Sequence, residues 1–238
     1  MLIRAHVSNG GVFTFTAFLL MFAMLYLGQG TVQAQESAVL SRSVGIKDTN
    51  TSPDGAIALL LHAGGVPGGI ISLYDRCLQP SPQRFFLQGF TLQQGLDSIA
   101  SIDASRKWAY RNGAILVGQQ LQTRTILSAI LDDVEFRPSD ALTLSTQRLL
   151  ETGEVRGRIR ALKFDEGMNP VIISGFYAIS RTGNRDQTLP PVPPIHLHQV
   201  TLSDSLNSVA AINGKAVWLY EQFECGDKAT FRITWVVK

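Results

Sequence analysis

One stretch of the sequence occurs twice, and this repeat constrains the fold more than any other feature. "TLQQGLDSIASIDASRKWAY" runs from Thr91 to Tyr110, and "TLSDSLNSVAAINGKAVWLY" runs from Thr201 to Tyr220. Thr, Leu, Leu, Ser, Ala, Ile, Trp and Tyr recur 110 positions later without a gap. The repeat therefore predicts two related structural modules in one chain.

Each copy begins with the pattern of an amphipathic helix. Thr91 with Gln94 forms a capping box, and Thr201 with Asp204 takes the same places in the second copy. The positions that follow carry apolar residues at i, i+4, i+7 and i+8, which predicts one buried helix face. These positions are Leu92, Leu96, Ile99 and Ala100 in the first copy, and Leu202, Leu206, Val209 and Ala210 in the second.

The helix of each copy is flanked by strand patterns. "RFFLQ" and "IHLHQ" precede the two helices, and a Trp and a Tyr alternate on the strand after each. Asn112-Gly113 predicts a tight hairpin to "AILVG", and "TFRITWVV" returns in the second copy. Each module thus reads strand–helix–strand–strand. "IISLY" and "IISGFY", which lie before the two copies, suggest that the duplication extends upstream.

The segment between the copies predicts additional elements. "TRTILSAILDD" resembles a short helix, and "PSDALTLSTQRLLETG" a longer one. "VRGRIRALKF" and "VIISGFYAIS" are interpreted as the strands of a long hairpin. The overall prediction is an α+β fold with a first module at 55–120 and a second at 121–238, whose repeat core is 195–238.

The N-terminus has the order of features of a secretory signal peptide. Arg4 precedes an apolar run from Val12 to Leu27, and small residues at Val32 and Ala34 follow it. We expect cleavage after Ala34, with residues 1–34 as the signal and 35–54 as a disordered leader. The predicted location is periplasmic or extracellular, with no stable membrane span after cleavage. The alternative is an uncleaved N-terminal membrane anchor.

Charge and cysteine content narrow the partner classes. The formal net charge is +2, and it falls to +1 once Arg4 is removed with the signal. A nearly neutral exported chain is not expected to bind nucleic acid. Cys77 and Cys225 are the two cysteines, and export favours a disulfide between them. Two separate buried thiols are the alternative.

The run "FFLQGFTLQQGLDSIASIDASRKWAYRNGAILVG" resembles the short N-terminal (STN) domain of secretins and TonB-dependent outer-membrane receptors. That resemblance implies a small βαβ duplication that acts in the periplasm as a protein-contact module. It implies no catalytic residues, because the matching positions are those of the apolar helix faces. No secretin channel or receptor barrel follows in this sequence, so the resemblance implies an interaction role and not transport.

Arg156, Arg158 and Arg160 are the candidate binding residues. If their segment is a strand, the three guanidinium groups share one face, where they could hold an acidic glycan, lipid headgroup or protein patch. A solvated edge strand is the competing interpretation. His196 and His198 also share a strand face, but no further ligand with metal-site spacing accompanies them.

The aromatic residues that alternate after each helix have two interpretations. They could form a sugar-stacking platform, but their repetition favours equal packing roles in the two modules. These residues are Trp108, Tyr110, Trp218 and Tyr220.

The sequence contains no G-x-S-x-G, H-E-x-x-H, P-loop or G-x-G-x-x-G motif, and we predict no cofactor, no metal and no enzyme activity. The leading hypothesis is a non-catalytic exported protein that contacts other proteins in the periplasm or cell envelope. An exported binder of acidic glycan or lipid headgroups is the first alternative, and an exported hydrolase with an unrecognised site is the second.

Overall fold

A computed structural model of the chain describes residues 34–74, 81–103, 105–119, 125–137, 141–164, 171–175, 194–213, 216–225 and 228–237. The chain divides into two compact units, residues 1–40 and 41–238. In the first unit, residues 34–40 are described and are helical. Residues 1–33 of the predicted signal peptide 1–34 lie outside the described residues.

The second unit has the mixed α+β architecture that the sequence predicts. Its first half, residues 43–119, contains β1 (Ser43–Thr51), α1 (Pro53–Gly64), β2 (Gly68–Tyr74), β3 (Gln83–Thr91), α2 (Leu92–Ala100), β4 (Arg106–Arg111) and β5 (Ala114–Gln119). Its second half, residues 126–237, contains a 3-10 turn (Ile126–Ser128), β6 (Ile130–Phe136), α3 (Leu142–Leu150), α4 (Gly153–Ala161), β7 (Val171–Gly175), β8 (Ile195–Thr201), α5 (Leu202–Ile212), β9 (Val217–Cys225) and β10 (Lys228–Val237).

The same strand pairings occur in both halves. β1 pairs with β3 in the first half as β6 pairs with β8 in the second, both antiparallel. β5 lies between antiparallel β4 and parallel β2, and β10 lies in the same way between β9 and β7. A parallel pairing of β2 with β9, which we call the seam, joins the halves into one sheet of order β4-β5-β2-β9-β10-β7.

The two helices of the repeated stretch have the N-caps and the buried apolar faces that their sequences predict. The Thr91 hydroxyl accepts the Gln94 backbone N–H at 3.2 Å, and Gln94 Oε1 accepts the Thr91 N–H at 2.9 Å. Thr201 accepts the Asp204 N–H at 3.1 Å in the same way. The predicted helix faces are buried at all positions except Ala100, which is half-buried. Capping and the apolar face therefore both fix these helices.

The hairpin predicted at Asn112-Gly113 joins β4 to β5. Both residues have positive φ, 51° for Asn112 and 80° for Gly113, and β4 pairs in register with β5 up to the turn. A two-residue turn with both φ angles positive matches the twist of the strands that it joins.

The halves place their helices on opposite faces of the six-stranded sheet. Trp108 lies opposite Val117, and Val117 lies opposite Ile70, so Trp108 and Ile70 point to the same face of the sheet. Trp218 lies opposite Gly69, the residue before Ile70. Adjacent residues of a strand point to opposite faces, so Trp108 and Trp218 do as well. β9 also runs in the opposite direction to β4. The second half is thus related to the first by about a half-turn around an axis across the strands, with a shift of three strands.

Glycine at position 69 allows the seam to form. A Cβ atom at Gly69 would overlap the six-membered ring of Trp218, which lies over this position from β9. We expect Gly69→Ala to destabilise the protein by about 1–3 kcal/mol, because the ring or the strand must shift. Urea unfolding measures this change.

Gly157→Ala is the matched control for Gly69→Ala, because a Cβ there meets no atom within 4 Å. Gly157 lies within α4, where alanine is expected to stabilise by up to about 1 kcal/mol. A Gly69→Ala protein as stable as the wild type would show that the seam tolerates a side chain beneath Trp218.

Several predicted elements are corrected by the structure. Within the predicted disordered leader 35–54, residues 35–40 are helical and residues 43–51 form β1. Val44 and Ile46 alternate in this polar segment, and both are buried. "TRTILSAILDD" ends in the strand β6 after a 3-10 turn, and the predicted hairpin between "VRGRIRALKF" and "VIISGFYAIS" is replaced by α4 and by β7, which pairs with β10.

Candidate functional site: the open edge of strand β4

The three candidate arginines lie on a helix and not on a strand. Val155 and Ile159 have the i, i+4 spacing of a helix face, and Val155 is fully buried. At 100° per residue, Arg156 and Arg160 share one side of α4 while Arg158 points away from them. Arg158 Nε donates to the Thr125 carbonyl at 3.2 Å. The predicted surface of three aligned guanidinium groups is therefore not formed.

The remaining predicted positions do not assemble into a chemical site. Cys77 lies outside the described residues, and Cys225 ends β9, so the disulfide stays a prediction. His196 and His198 are exposed on β8, as expected for one strand face, and His196 Nδ1 lies 3.9 Å from Glu135 Oε2. No group of three or more His, Cys, Asp or Glu side chains that could hold a metal ion occurs among the described residues.

A buried ion pair fixes β4 against α1. The Arg106 guanidinium Nη1 pairs with Asp54 Oδ1, and Tyr74 Oη donates to Asp54 Oδ2 at 2.6 Å. Asp54 stands in the first turn of α1, where a carboxylate is favoured by the helix dipole. Arg106 Nε also lies 3.4 Å from Asp103 Oδ2. The sequence motifs gave no sign of this cluster, because its members are 52 and 20 positions from Asp54.

The pKa shifts in this cluster follow from burial and from the Asp54 charge. Burial and the neighbouring carboxylate of Asp54 both raise the pKa of Tyr74. Burial alone would lower the pKa of Arg106, but its contacts, above all with Asp54, outweigh that effect and raise it. Tyr74 thus stays neutral and Arg106 stays charged at neutral pH. The Asp54 and Arg106 charges therefore compensate each other inside the protein.

A second polar cluster lies on β9 and β10, beside the seam. Glu221 on β9 is buried, pairs with the Arg232 guanidinium, and accepts from Arg232 Nη2 at 2.9 Å. Phe223 stacks on Tyr74 across the seam at a ring-centroid distance of 5.1 Å, and the Arg232 guanidinium carbon lies 5.5 Å from the Phe223 ring centre. The Tyr74–Phe223 stack joins β2 to β9, whereas Glu221 and Arg232 join β9 to β10.

The strand β4 is less covered than β9, its counterpart in the second copy. Trp218 and Tyr220 on β9 are 0% exposed, whereas the equivalent Trp108 and Tyr110 on β4 are only half-buried. β9 is flanked by β10 and β2, while β4 pairs only with β5 among the described strands. The expectation of equal packing roles is thus wrong for these pairs. The second edge of β4 is unpaired among the described strands; we call it the open edge, and it corresponds to the edge of β9 at the seam.

Comparisons with protein-family models, curated proteins and solved structures give no significant match to this chain.

The interpretation of the site therefore rests on the chain's own geometry. Among the helices of the described residues, none has the length and apolar character needed to cross a membrane. An unpaired strand edge offers backbone N–H and C=O groups that can pair with another strand. The open edge of β4, with Trp108 and Tyr110 beside it, is the feature best suited to binding a partner.

Proposed function

We propose that the protein is a non-catalytic exported protein, built from two copies of one structural unit, that makes protein–protein contacts in the periplasm or cell envelope. One observation carries the proposal: Trp108 and Tyr110 are half-buried beside an open edge, while their equivalents Trp218 and Tyr220 are fully buried on β9, whose corresponding edge pairs with β2. Half-exposed Trp and Tyr residues beside unpaired backbone are typical of strand-addition interfaces.

The remaining support comes from the order of elements and from the N-terminus. Each half contains two strand–helix–strand units and one further strand, with two helices, α3 and α4, in the first unit of the second half, and this order supports a βαβ duplication of the STN type. The basic residue, apolar run and small residues before position 35 favour export. The alternative of an acidic-ligand binder loses its main argument, because Arg158 is not aligned with Arg156 and Arg160. The hydrolase alternative gains no support from Asp54 and Arg106, whose charges are paired and buried.

Photo-crosslinking in the cells that produce the protein tests this function. A photoreactive amino acid in place of Lys107, which is exposed on β4, is expected to form an adduct with another protein of the envelope fraction. The same substitution at Gln88, exposed on β3, is the matched control and is expected to form none. The protein recovered from that fraction is expected to begin at Gln35.

Two results would contradict the proposal. Equal adduct yields at Lys107 and Gln88 would remove the open edge as a contact surface. Recovery of the protein in the cytosol, with residues 1–34 retained, would contradict export.

A further inference from the structure

The seam shows what kind of strand can lie beside β4. By the ladder pairings, β4 holds in the first half the place that β9 holds in the second. The edge of β9 is occupied by β2, which runs parallel to it from Gly68 to Tyr74. A strand that pairs with the edge of β4 in the same way would extend the six-stranded sheet by one strand.

The two tryptophans are held in the same way relative to their helices. Trp218 Nε1 donates to Asn207 Oδ1 at 2.9 Å, and Trp108 Nε1 donates to Asp97 Oδ1 at 2.8 Å, both across eleven positions. The ring of Trp218 extends beyond its own strand and lies over Gly69 of β2. With the same anchor, the ring of Trp108 extends over the place that a neighbouring strand would occupy.

We infer that the open edge of β4 binds, in parallel, a strand of a partner protein that has glycine opposite Trp108. The seam supplies the pattern: Gly69 lies beneath Trp218, and the β-branched Ile70 and Ile71 follow it. A Cβ atom beneath Trp108 would overlap the ring of Trp108, just as a Cβ atom at Gly69 would overlap the ring of Trp218. The inference rests on the proposed function for the partner being a protein, and it adds the sequence feature that the partner strand must carry.

A second copy of this chain does not meet the requirement through β7. β7 is the strand equivalent to β2, and Ile172 pairs with Thr234 as Gly69 pairs with Leu116. Leu116 and Thr234 are themselves equivalent, since they lie opposite Ala109 and Leu219. Ile172 therefore stands where glycine is needed, and β7 of one copy is a poor match for β4 of the next. We expect the exported protein to stay monomeric.

The edge of β4 is held rigidly enough to act as a template. Arg106 at its start is buried and paired with Asp54, and Trp108 in its middle is bonded to Asp97. Its end continues directly into the tight turn at Asn112. A strand that is already ordered loses little conformational entropy when a partner pairs with it, which favours binding.

Peptides with the sequence of β2 test the inference on the whole exported protein. The probe is a fluorescent peptide of residues 66–74, VPGGIISLY, with a lysine tail for solubility, and its comparison peptide carries Gly69→Val. We expect fluorescence anisotropy to give a dissociation constant about tenfold or more lower for the glycine peptide, because the added side chain overpacks the site. Hydrogen exchange should show new protection at residues 106–111 with the glycine peptide alone.

A protein variant provides the reciprocal test. In Trp108→Ala the ring is absent, so the valine peptide is expected to bind within about twofold of the glycine peptide. Phe86→Ala removes an exposed side chain on β3, which is not a strand of the six-stranded sheet, and is the matched control that keeps the discrimination. If Trp108→Ala does not give the circular dichroism of the folded protein, the wild-type peptide ratio and exchange pattern decide alone.

Binding of both peptides with equal affinity, or protection outside residues 106–111, would overturn the glycine requirement. So would failure of the glycine peptide to bind, or concentration-dependent growth of the protein through β7 in sedimentation. These failures are separate from that of the proposed function. Crosslinks at Lys107 without peptide discrimination would leave the contact role in place, whereas peptide binding by a cytosolic protein would refute export alone.

Discussion

Trp218→Ala is expected to destabilise the protein by about 3–5 kcal/mol, because a fully buried indole is lost and a cavity remains. Trp218 is 0% exposed, packs in the core of the second half, and covers Gly69 at the seam. Trp108→Ala is the matched comparison, and we expect a cost of about 1–2 kcal/mol, since this indole is half-exposed. Urea unfolding of both variants measures the difference.

Equal costs for the two tryptophan variants would contradict the assignment of β4 as an open edge. They would mean that Trp108 is as well covered in solution as Trp218. A large cost at both positions would also remove the physical basis for partner binding beside Trp108.

Arg106→Met is expected to cost about 3–5 kcal/mol at neutral pH, because it leaves the Asp54 carboxylate buried without its cation. Asp54 is 1% exposed and keeps only the Tyr74 hydroxyl among its side-chain partners described above. The double variant Asp54→Leu with Arg106→Met is expected to recover most of the loss, since two apolar side chains need no charge compensation.

An exposed pair provides the control for this ion pair. Glu135→Gln at the His196–Glu135 contact is expected to change stability by no more than about 0.5 kcal/mol, because both side chains are solvated. If Arg106→Met proves as mild as Glu135→Gln, the Asp54–Arg106 pair does not fix β4, and the rigidity of the open edge needs another cause.

Local features of the fold could be predicted from the sequence. Thr91 and Thr201 cap their helices as expected, and Asn112-Gly113 makes the predicted turn, because caps and tight turns depend on residues a few positions apart. The resemblance of "IISLY" to "IISGFY" pointed to β2 and β7, which take equivalent places beside β5 and β10. The strand pairings make Ile172 equivalent to Gly69, whereas the sequence match aligns Ile172 with Ile70.

Two local predictions failed because a short pattern suited more than one structure. Arginine at every second position from 156 to 160 fits a strand, but Val155 and Ile159 fit a helix, and burial of Val155 decides for the helix. The alternation of Val44 and Ile46 is too brief to stand out in a stretch rich in Ser, Thr and Asp.

The candidate site could not be predicted, because it depends on which strands become neighbours. Trp108 and Trp218 hold equivalent places in the repeat, but β9 lies between β10 and β2, whereas β4 pairs only with β5 among the described strands. The Asp54–Arg106 pair likewise joins residues 52 positions apart. Sequence periodicity carries no information on either.

The half-turn that relates the two halves has a consequence for how the copies diverge. The halves meet through β2 of the first and β9 of the second, which are not equivalent strands. The seam therefore requires different residues at equivalent positions of the two halves. Position 69 requires glycine because Trp218 lies over it, whereas the equivalent position 172 carries isoleucine. In the same way, Leu219 pairs with Ile70 at the seam, whereas the equivalent position 109 carries alanine. The seam therefore constrains each pair of equivalent positions in one half only, while the helix caps at Thr91 and Thr201 are needed in both.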